Sequence, residues 1–206
     1  MFITFEGTEG SGKSHQAREL VKRLRSRAMG VLATHEPGGT PLGDQLRELV
    51  LLRDDLRLVA RAEALLMNAS RAQLVEQVIR PAIERGEVVV CDRFADSTLA
   101  YQGAGRGLDV RVLESVTSFA TAGLEPDMTL LLDLPVEDGL ARKRARPGWN
   151  RFEDEMVAFH ERVRAAYRAM ASADPKRWRC VDATAPPDAV ADGIWAAVAA
   201  RLGLQP

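Results

Sequence analysis

Phe2-Ile3-Thr4-Phe5-Glu6-Gly7-Thr8-Glu9-Gly10-Ser11-Gly12-Lys13-Ser14 decides the fold. The first five residues form a short β-prone run, the next eight satisfy G-x-x-x-x-G-K-[ST], and a helical period opens at Gly12. Glycines let the backbone turn so that successive N–H groups point inward at phosphate oxygens, and the N-terminus of the following helix adds partial positive charge. Gly7, Thr8, Glu9, Gly10, Ser11, Gly12, Lys13 and Ser14 are therefore the expected cradle for ATP or a relative. Lys13 would reach the β and γ phosphates, and the Ser14 hydroxyl would complete the shell of a Mg²⁺ ion, which prefers oxygen ligands and keeps several waters.

Outward from this stretch, short β-rich runs alternate with segments of helical period. The runs Phe2–Glu6, Val31–His35, Glu87–Cys91, Met128–Leu134 and Trp178–Val181 read as strands. Helical patterns span Gly12–Met29, Pro41–Leu52, Leu56–Arg85, Val110–Ala122, Val136–Ala145, Arg151–Ser172 and Pro186–Leu202, with Pro81 expected to kink or shorten the third. Parallel strands need crossovers and helices supply them, so the alternation predicts an α/β domain: a doubly wound, five-stranded parallel sheet flanked by helices. At 206 residues, one domain over the whole chain is expected. Ligands of such sheets bind beyond the carboxyl ends of the strands.

With 46% hydrophobic and 28% charged residues the chain has a globular composition, which excludes disorder and a disulfide-stapled miniprotein. Its formal net charge of −1 argues against a nucleic acid polymer as partner, because duplex binding by counterion release calls for a basic excess. Cys91 and Cys180 lack metal-ligand spacing and read as buried free thiols, which suits a reducing cytoplasm. Neither a signal peptide nor a stretch of 18 apolar residues is found, so no membrane span is expected.

Two further segments point to phosphoryl transfer. Arg142, Lys143, Arg144, Arg146 and Arg151 place five cations in ten residues around Pro147-Gly148, without an acid, which reads as a lid awaiting an anion. The transferred phosphoryl group spreads negative charge over its equatorial oxygens, and a closing lid can supply guanidinium groups while excluding water. Asp92 and Arg93 end the third strand at the same edge. Asp92 is placed to act on the magnesium through its water shell or to orient a neighbouring cation, and Arg93 to grip a phosphate through two parallel hydrogen bonds. A guanine-reading N/T-K-x-D segment is absent, and the chain is short for a motor ATPase, so a small kinase with a second substrate is favoured.

The chain resembles the bacterial thymidylate (dTMP) kinases. The resemblance runs through Phe2–Gly7, Glu36-Pro37-Gly38-Gly39-Thr40, Arg71-Ala72-Gln73, Asp92-Arg93-Phe94-x-x-Ser97-Thr98-x-Ala100-Tyr101-Gln102-Gly103, Pro126-Asp127, the lid and Val181-Asp182-Ala183. It implies a P-loop kinase that passes the γ-phosphoryl of Mg-ATP to dTMP, and a homodimer. By the same resemblance Arg71 hydrogen-bonds thymine, Thr98 and Gln102 help hold the base, and Arg47 and Arg93 hold the acceptor phosphate. Tyr101 would lie where a ribose 2′-hydroxyl projects, Glu9 near the acceptor sugar or the magnesium, and Glu36 and Pro37 in the dTMP site. Arg142 and the loop after Asp182 are candidates for adenine. The cradle carries Glu9-Gly10-Ser11 rather than an arginine, so the lid residues Arg144, Arg146 and Arg151 are the catalytic candidates beside Lys13 and Arg93. Met67 stands where relatives place an aromatic ring against thymine; a polarizable thioether can lie on a ring face. His15, His35 and His160 have no expected chemical role. Two alternatives remain: a deoxynucleoside kinase using a carboxylate base such as Glu36, and a non-catalytic ATP-dependent interaction module.

Overall fold

The computed structural model describes residues 1–53, 55–145, 152 and 155–204. Five strands, β1 (Phe2–Glu6), β2 (Val31–His35), β3 (Val88–Asp92), β4 (Met128–Asp133) and β5 (Trp178–Asp182), form one parallel sheet in the spatial order β2-β3-β1-β4-β5. The crossovers are α1 (Lys13–Arg25), α2 (Pro41–Leu51), α3 (Ala60–Leu74), α4 (Arg80–Glu84), α5 (Ala95–Thr98), α6 (Val110–Thr121), α7 (Val136–Arg144), α8 (Val157–Ala173) and α9 (Pro187–Leu202). The expected five-stranded, doubly wound α/β sheet is what forms.

Strand β1 is buried along its whole length between β3 and β4. Alternate side chains of a strand point to opposite faces. Ile3 and Phe5 enter one core with Leu20 and Leu24 of α1 and Ile194 and Val198 of α9. Phe2 enters another with Leu74, Ile79 and Phe94. Thr4 and Glu6 share the face of Phe2, so Glu6 is directed away from α1. The chain winds from β1 to β2 and β3 on one side and to β4 and β5 on the other, which opens a crevice beyond the carboxyl end of β1.

The elements differ from expectation in three places. The long third helical segment starts at Ala60, and Pro81 does not end it. A π-helical turn over Val75–Ile79 precedes α4, and this wider i→i+5 coil carries the chain into the proline. The residues Ala95–Gly105, which no apolar period marked, form α5 and a π-helical run Leu99–Gly105. The buried side of that run is Asp96, Thr98, Ala100, Tyr101, Gln102, Gly103 and Gly105, mostly polar or small. Helix α8 starts at Val157, after the extended Met156, rather than at Arg151. Cys91 is buried as expected, but Cys180 is exposed, because β5 is an edge strand. Among the described residues no helix is long and apolar enough to cross a membrane.

Candidate active site

The cradle follows β1 and closes over the N-terminus of α1. Gly12 caps that helix at φ 93°, and Gly10, at φ 69°, packs so tightly on α7 that a Cβ would sit 1.9 Å from the Gly139 carbonyl oxygen. A side chain at Gly10 would force the loop open, and one at Gly12 would meet open space but strain the left-handed backbone. Lys13 is buried, and its Nζ donates to the Thr8 carbonyl (2.8 Å) and Ser11 Oγ (3.3 Å). Burial, then the charge of Arg93, brings its pKa from 10.5 to about 8, against the opposing pull of Glu9, Asp92 and Glu6. The Ser14 hydroxyl donates to the Asp92 carboxylate, so two oxygen ligands lie side by side where β3 meets the cradle.

Arg93 follows β3 directly and sits at φ 70°, held by its N–H on the Phe5 carbonyl (2.9 Å). Its guanidinium bonds Glu9 (2.7 Å), the Tyr101 hydroxyl (3.0 Å) and the Gly7 carbonyl (3.2 Å). Tyr101 in turn donates to Glu9 at 2.8 Å. Burial would raise the pKa of Glu9, but Arg93, Lys13 and the Tyr101 hydroxyl outweigh it and hold the carboxyl at about 2. Burial likewise disfavours the charge of Arg93, and Tyr101, Glu9, Tyr167 and Glu6 more than restore it.

Arg71 donates four hydrogen bonds to protein atoms and pairs with the Glu36 carboxylate. Nε and Nη2 reach Glu36 Oε2 (2.9 and 2.8 Å), Nη1 reaches Asn68 Oδ1 (2.9 Å) and Thr98 Oγ1 (3.0 Å), and Nη2 also reaches the Phe94 carbonyl (3.2 Å). A thymine oxygen bonding Arg71 therefore approaches a guanidinium whose three nitrogens each already hold a protein partner. Glu36 is buried with its Oε1 unpartnered, and burial raises its pKa despite Arg71. Gln102 donates to Glu63 at 2.8 Å, and Arg47 to the Pro37 carbonyl at 2.9 Å.

One cavity of about 780 Å³ connects these groups. Its wall brings together Glu9, Gly10, Gly12, Lys13 and Ser14 from the cradle with Glu36, Pro37, Arg47, Met67, Arg71, Asp92, Arg93, Thr98, Tyr101, Gln102 and Arg142. Gly7, Thr8 and Ser11 lie beneath the wall as the turn itself. Arg142 donates to the Ala183 carbonyl after β5 (2.9 Å). Among the lid cations, Lys143 lines the cavity, whereas Arg144 is exposed at the end of α7 and does not. Arg146 and Arg151, with Pro147 and Gly148, lie outside the described residues. His15 and His35 are exposed on the rim and His160 is buried in the core.

Sequence reading gave no role to Glu6, Ser97 or Tyr167, and counted Lys143 among the lid cations without singling it out. Glu6 could have been flagged as a carboxylate closing an otherwise apolar strand, and Tyr167 as one of only two tyrosines.

Sheet order and cradle together define a P-loop kinase, a phosphotransferase with a second substrate site facing the cradle. The family model described as thymidylate kinase matches residues 5–194. The thymidylate kinase of Thermomicrobium roseum is 56% identical over 198 residues, covering 96% of this chain and 93% of that protein. That of Deinococcus radiodurans is 50% identical over 201 residues, covering 98% and 97%. The crystal structure of thymidylate kinase from Ehrlichia chaffeensis superposes with a TM-score of 0.78 at 30% identity, covering 96% and 98% of the two chains. The chain belongs to the thymidylate kinase family.

Proposed function

We infer that this cavity transfers the γ-phosphoryl group of Mg-ATP to dTMP, giving dTDP and ADP, within a single domain. The observation that carries the reading is that Lys13 and Arg93, from the cradle and from the end of β3, share one cavity with the ionised Glu9 between them. On binding ATP, Lys13 exchanges the Thr8 carbonyl and Ser11 hydroxyl for phosphate oxygens. Arg142, beside the loop after β5, lies toward the adenine. Ser14 and Asp92 fit a magnesium ion, since two adjacent protein oxygens plus substrate phosphates and water suit its octahedral demand. When bound, the metal supplies charge neutralisation on the phosphates.

At the other end Arg93 and Arg47 hold the acceptor phosphate, Tyr101 and Glu9 meet the deoxyribose, and Thr98, Arg71, Gln102 and Met67 form the thymine wall, with Glu36 and Pro37 beside it. A phosphate monoester with second pKa about 6 is already dianionic at neutral pH, so no base is required. Positioning and charge neutralisation are the protein's work, with Arg144, Arg146 and Arg151 as lid candidates for the transferred group.

A steady-state panel of dTMP, dUMP, ribose TMP, AMP and thymidine tests the reading. The expected result is fast ADP release that depends on dTMP, with thymidine inert. Turnover of thymidine at the dTMP rate, or ADP release that ignores the acceptor, would overturn it.

The enzyme is read as a cytoplasmic homodimer. Helices α3 and α6 pack side by side, and their outer faces expose Leu65 (59%), Val112 (59%) and Phe119 (89%). Val112 and Phe119 are seven residues apart and so share one helical face. A second copy of this chain is the occupant that fits an apolar helical face of this kind. Phe119→Asp should shift the species seen by light scattering from dimer to monomer; an unchanged mass would refute this interface.

A further inference from the structure

Glu6 is a buried carboxylate one hydrogen bond behind the cavity-lining Ser97, and the proposed reaction leaves it without a task. It is fully enclosed at 0% exposure. Its Oε1 accepts the Phe94 N–H (2.8 Å), and its Oε2 accepts the hydroxyls of Ser97 and Tyr167 (2.7 Å each). These two oxygens lie 2.9 Å apart and both accept from Arg93 Nη1, at 3.3 and 3.4 Å. Glu6 thus faces the guanidinium through one layer of two hydroxyl groups.

We propose that Glu6 is the titratable counter-charge of the acceptor site and takes up a proton when the phosphate dianion docks on Arg93. The inference rests on the reading of Arg93 as the holder of that phosphate. In the free protein the positive charge of Arg93 favours the ionised carboxylate. A dianion on the far side of Arg93 reverses the sign of the charge that Glu6 faces, and an enclosed carboxylate cannot be relieved by water. The proton comes from solvent and forms an O–H bond on Glu6; no bond to substrate is made or broken. The neutral acid then donates to one of the two hydroxyl oxygens, and Ser97, which lines the cavity, can turn its own hydrogen toward the phosphate.

The groups facing Glu6 are Arg93 after β3, Asp96 and Ser97 from α5, Tyr167 from α8, Lys13 from the cradle and Cys91 from β3. Burial and the charge of Asp96 raise its pKa from 4.5 to about 7, against Arg93 and the two hydroxyls. It is therefore poised to titrate near neutrality.

Calorimetric titration of dTMP at pH 7.5, in two buffers of different ionisation enthalpy and without ATP or added metal, measures the uptake. The substrate phosphate is already dianionic there, so any proton is taken up by the protein. A group with pKa about 7 leaves room for up to about three-quarters of a proton. Lys13, at about 8, leaves room for about a quarter. The expected result is at least about half a proton per dTMP, falling to about a quarter or less in Glu6→Gln. If that variant does not fold, Tyr167→Phe decides: loss of a donor to the ionised carboxylate pre-protonates Glu6 and lowers the uptake. Native protein that binds dTMP with about a quarter of a proton or less overturns the inference, as does full uptake in the variant that folds. Native protein that does not bind dTMP overturns the function reading and this inference with it.

Discussion

Removing the Tyr101 hydroxyl isolates the tie between Glu9 and Arg93, the two charged groups proposed to meet the acceptor. Tyr101 is buried; its hydroxyl donates to Glu9 at 2.8 Å and accepts from Arg93 at 3.0 Å. Its ring packs edge-on against Phe152, Phe159 and Tyr167, with centroids 5.5, 6.1 and 6.4 Å away. Tyr101→Phe keeps that packing and deletes only the oxygen. A hydrogen bond to a charged group contributes about 1.5 to 3 kcal/mol net. Because Glu9 and Arg93 remain bonded to each other at 2.7 Å, the lower end applies. About 1.5 kcal/mol corresponds to roughly a tenfold rise in the KM for dTMP. Initial rates at saturating ATP should show this with kcat changed by less than about threefold, since the hydroxyl acts on ground state and transition state alike. The ratio of kcat/KM for dTMP over its ribose counterpart should stay nearly constant if, as proposed, the ring and not the hydroxyl occupies the space of a 2′-oxygen. An unchanged KM would remove the hydroxyl from the acceptor site, and a collapse of the sugar ratio would remove the ring as the barrier.

Three other perturbations probe separate parts of the molecule. Lys13 titrates at about 8 in the free protein, so above pH 8 it becomes neutral and ATP affinity should fall, by up to about tenfold per pH unit; a dissociation constant flat from pH 7 to 9.5 in fluorescence titration would contradict this. Met67→Phe should retain activity without raising the KM for dTMP, whereas a clear rise would show that the thioether does not border the base. Arg177 holds the buried Asp96 through two bonds of 2.7 and 3.0 Å and also bonds Thr129 at 3.0 Å. Its replacement by Met strands a buried carboxylate, at about 3 kcal/mol and hence roughly 6 to 12 °C of Tm by calorimetry, with dTMP still turned over at 25 °C; an unaltered Tm would refute the structural role.

The cradle is legible because phosphate binding fixes residue types at fixed spacing, and the strands are legible because a doubly covered sheet needs short apolar runs. The Ala95–Gly105 coil is not, since the side it buries carries Thr98, Tyr101 and Gln102, and apolar periodicity has nothing to register there. Nor could chain order show that β5 forms an edge, which leaves Cys180 exposed within a run that reads as buried. Arg71 illustrates a harder limit. Its resemblance-based role concerns one hydrogen bond, but its partners arrive from four places in the chain, Glu36, Asn68, Phe94 and Thr98, and only their convergence reveals that each of its three nitrogens is already engaged.

The same pre-engagement recurs across the cavity: Lys13 holds the Thr8 carbonyl, Arg47 the Pro37 carbonyl and Arg93 the Glu9 carboxylate. The lining as a whole is nonetheless basic, with nine lysines and arginines against the three carboxylates Glu9, Glu36 and Asp92 in a chain whose net charge is −1. Nucleotide binding is then an exchange of partners, and its free energy is a difference between two sets of bonds. A dianion repays the exchange, because charge-assisted bonds to phosphate are stronger than those to a backbone carbonyl. A neutral nucleoside does not, and would leave Arg47 and Arg93 with the partners they already hold. Preference for the monophosphate thus follows from the state of the empty site as much as from contacts made in the filled one.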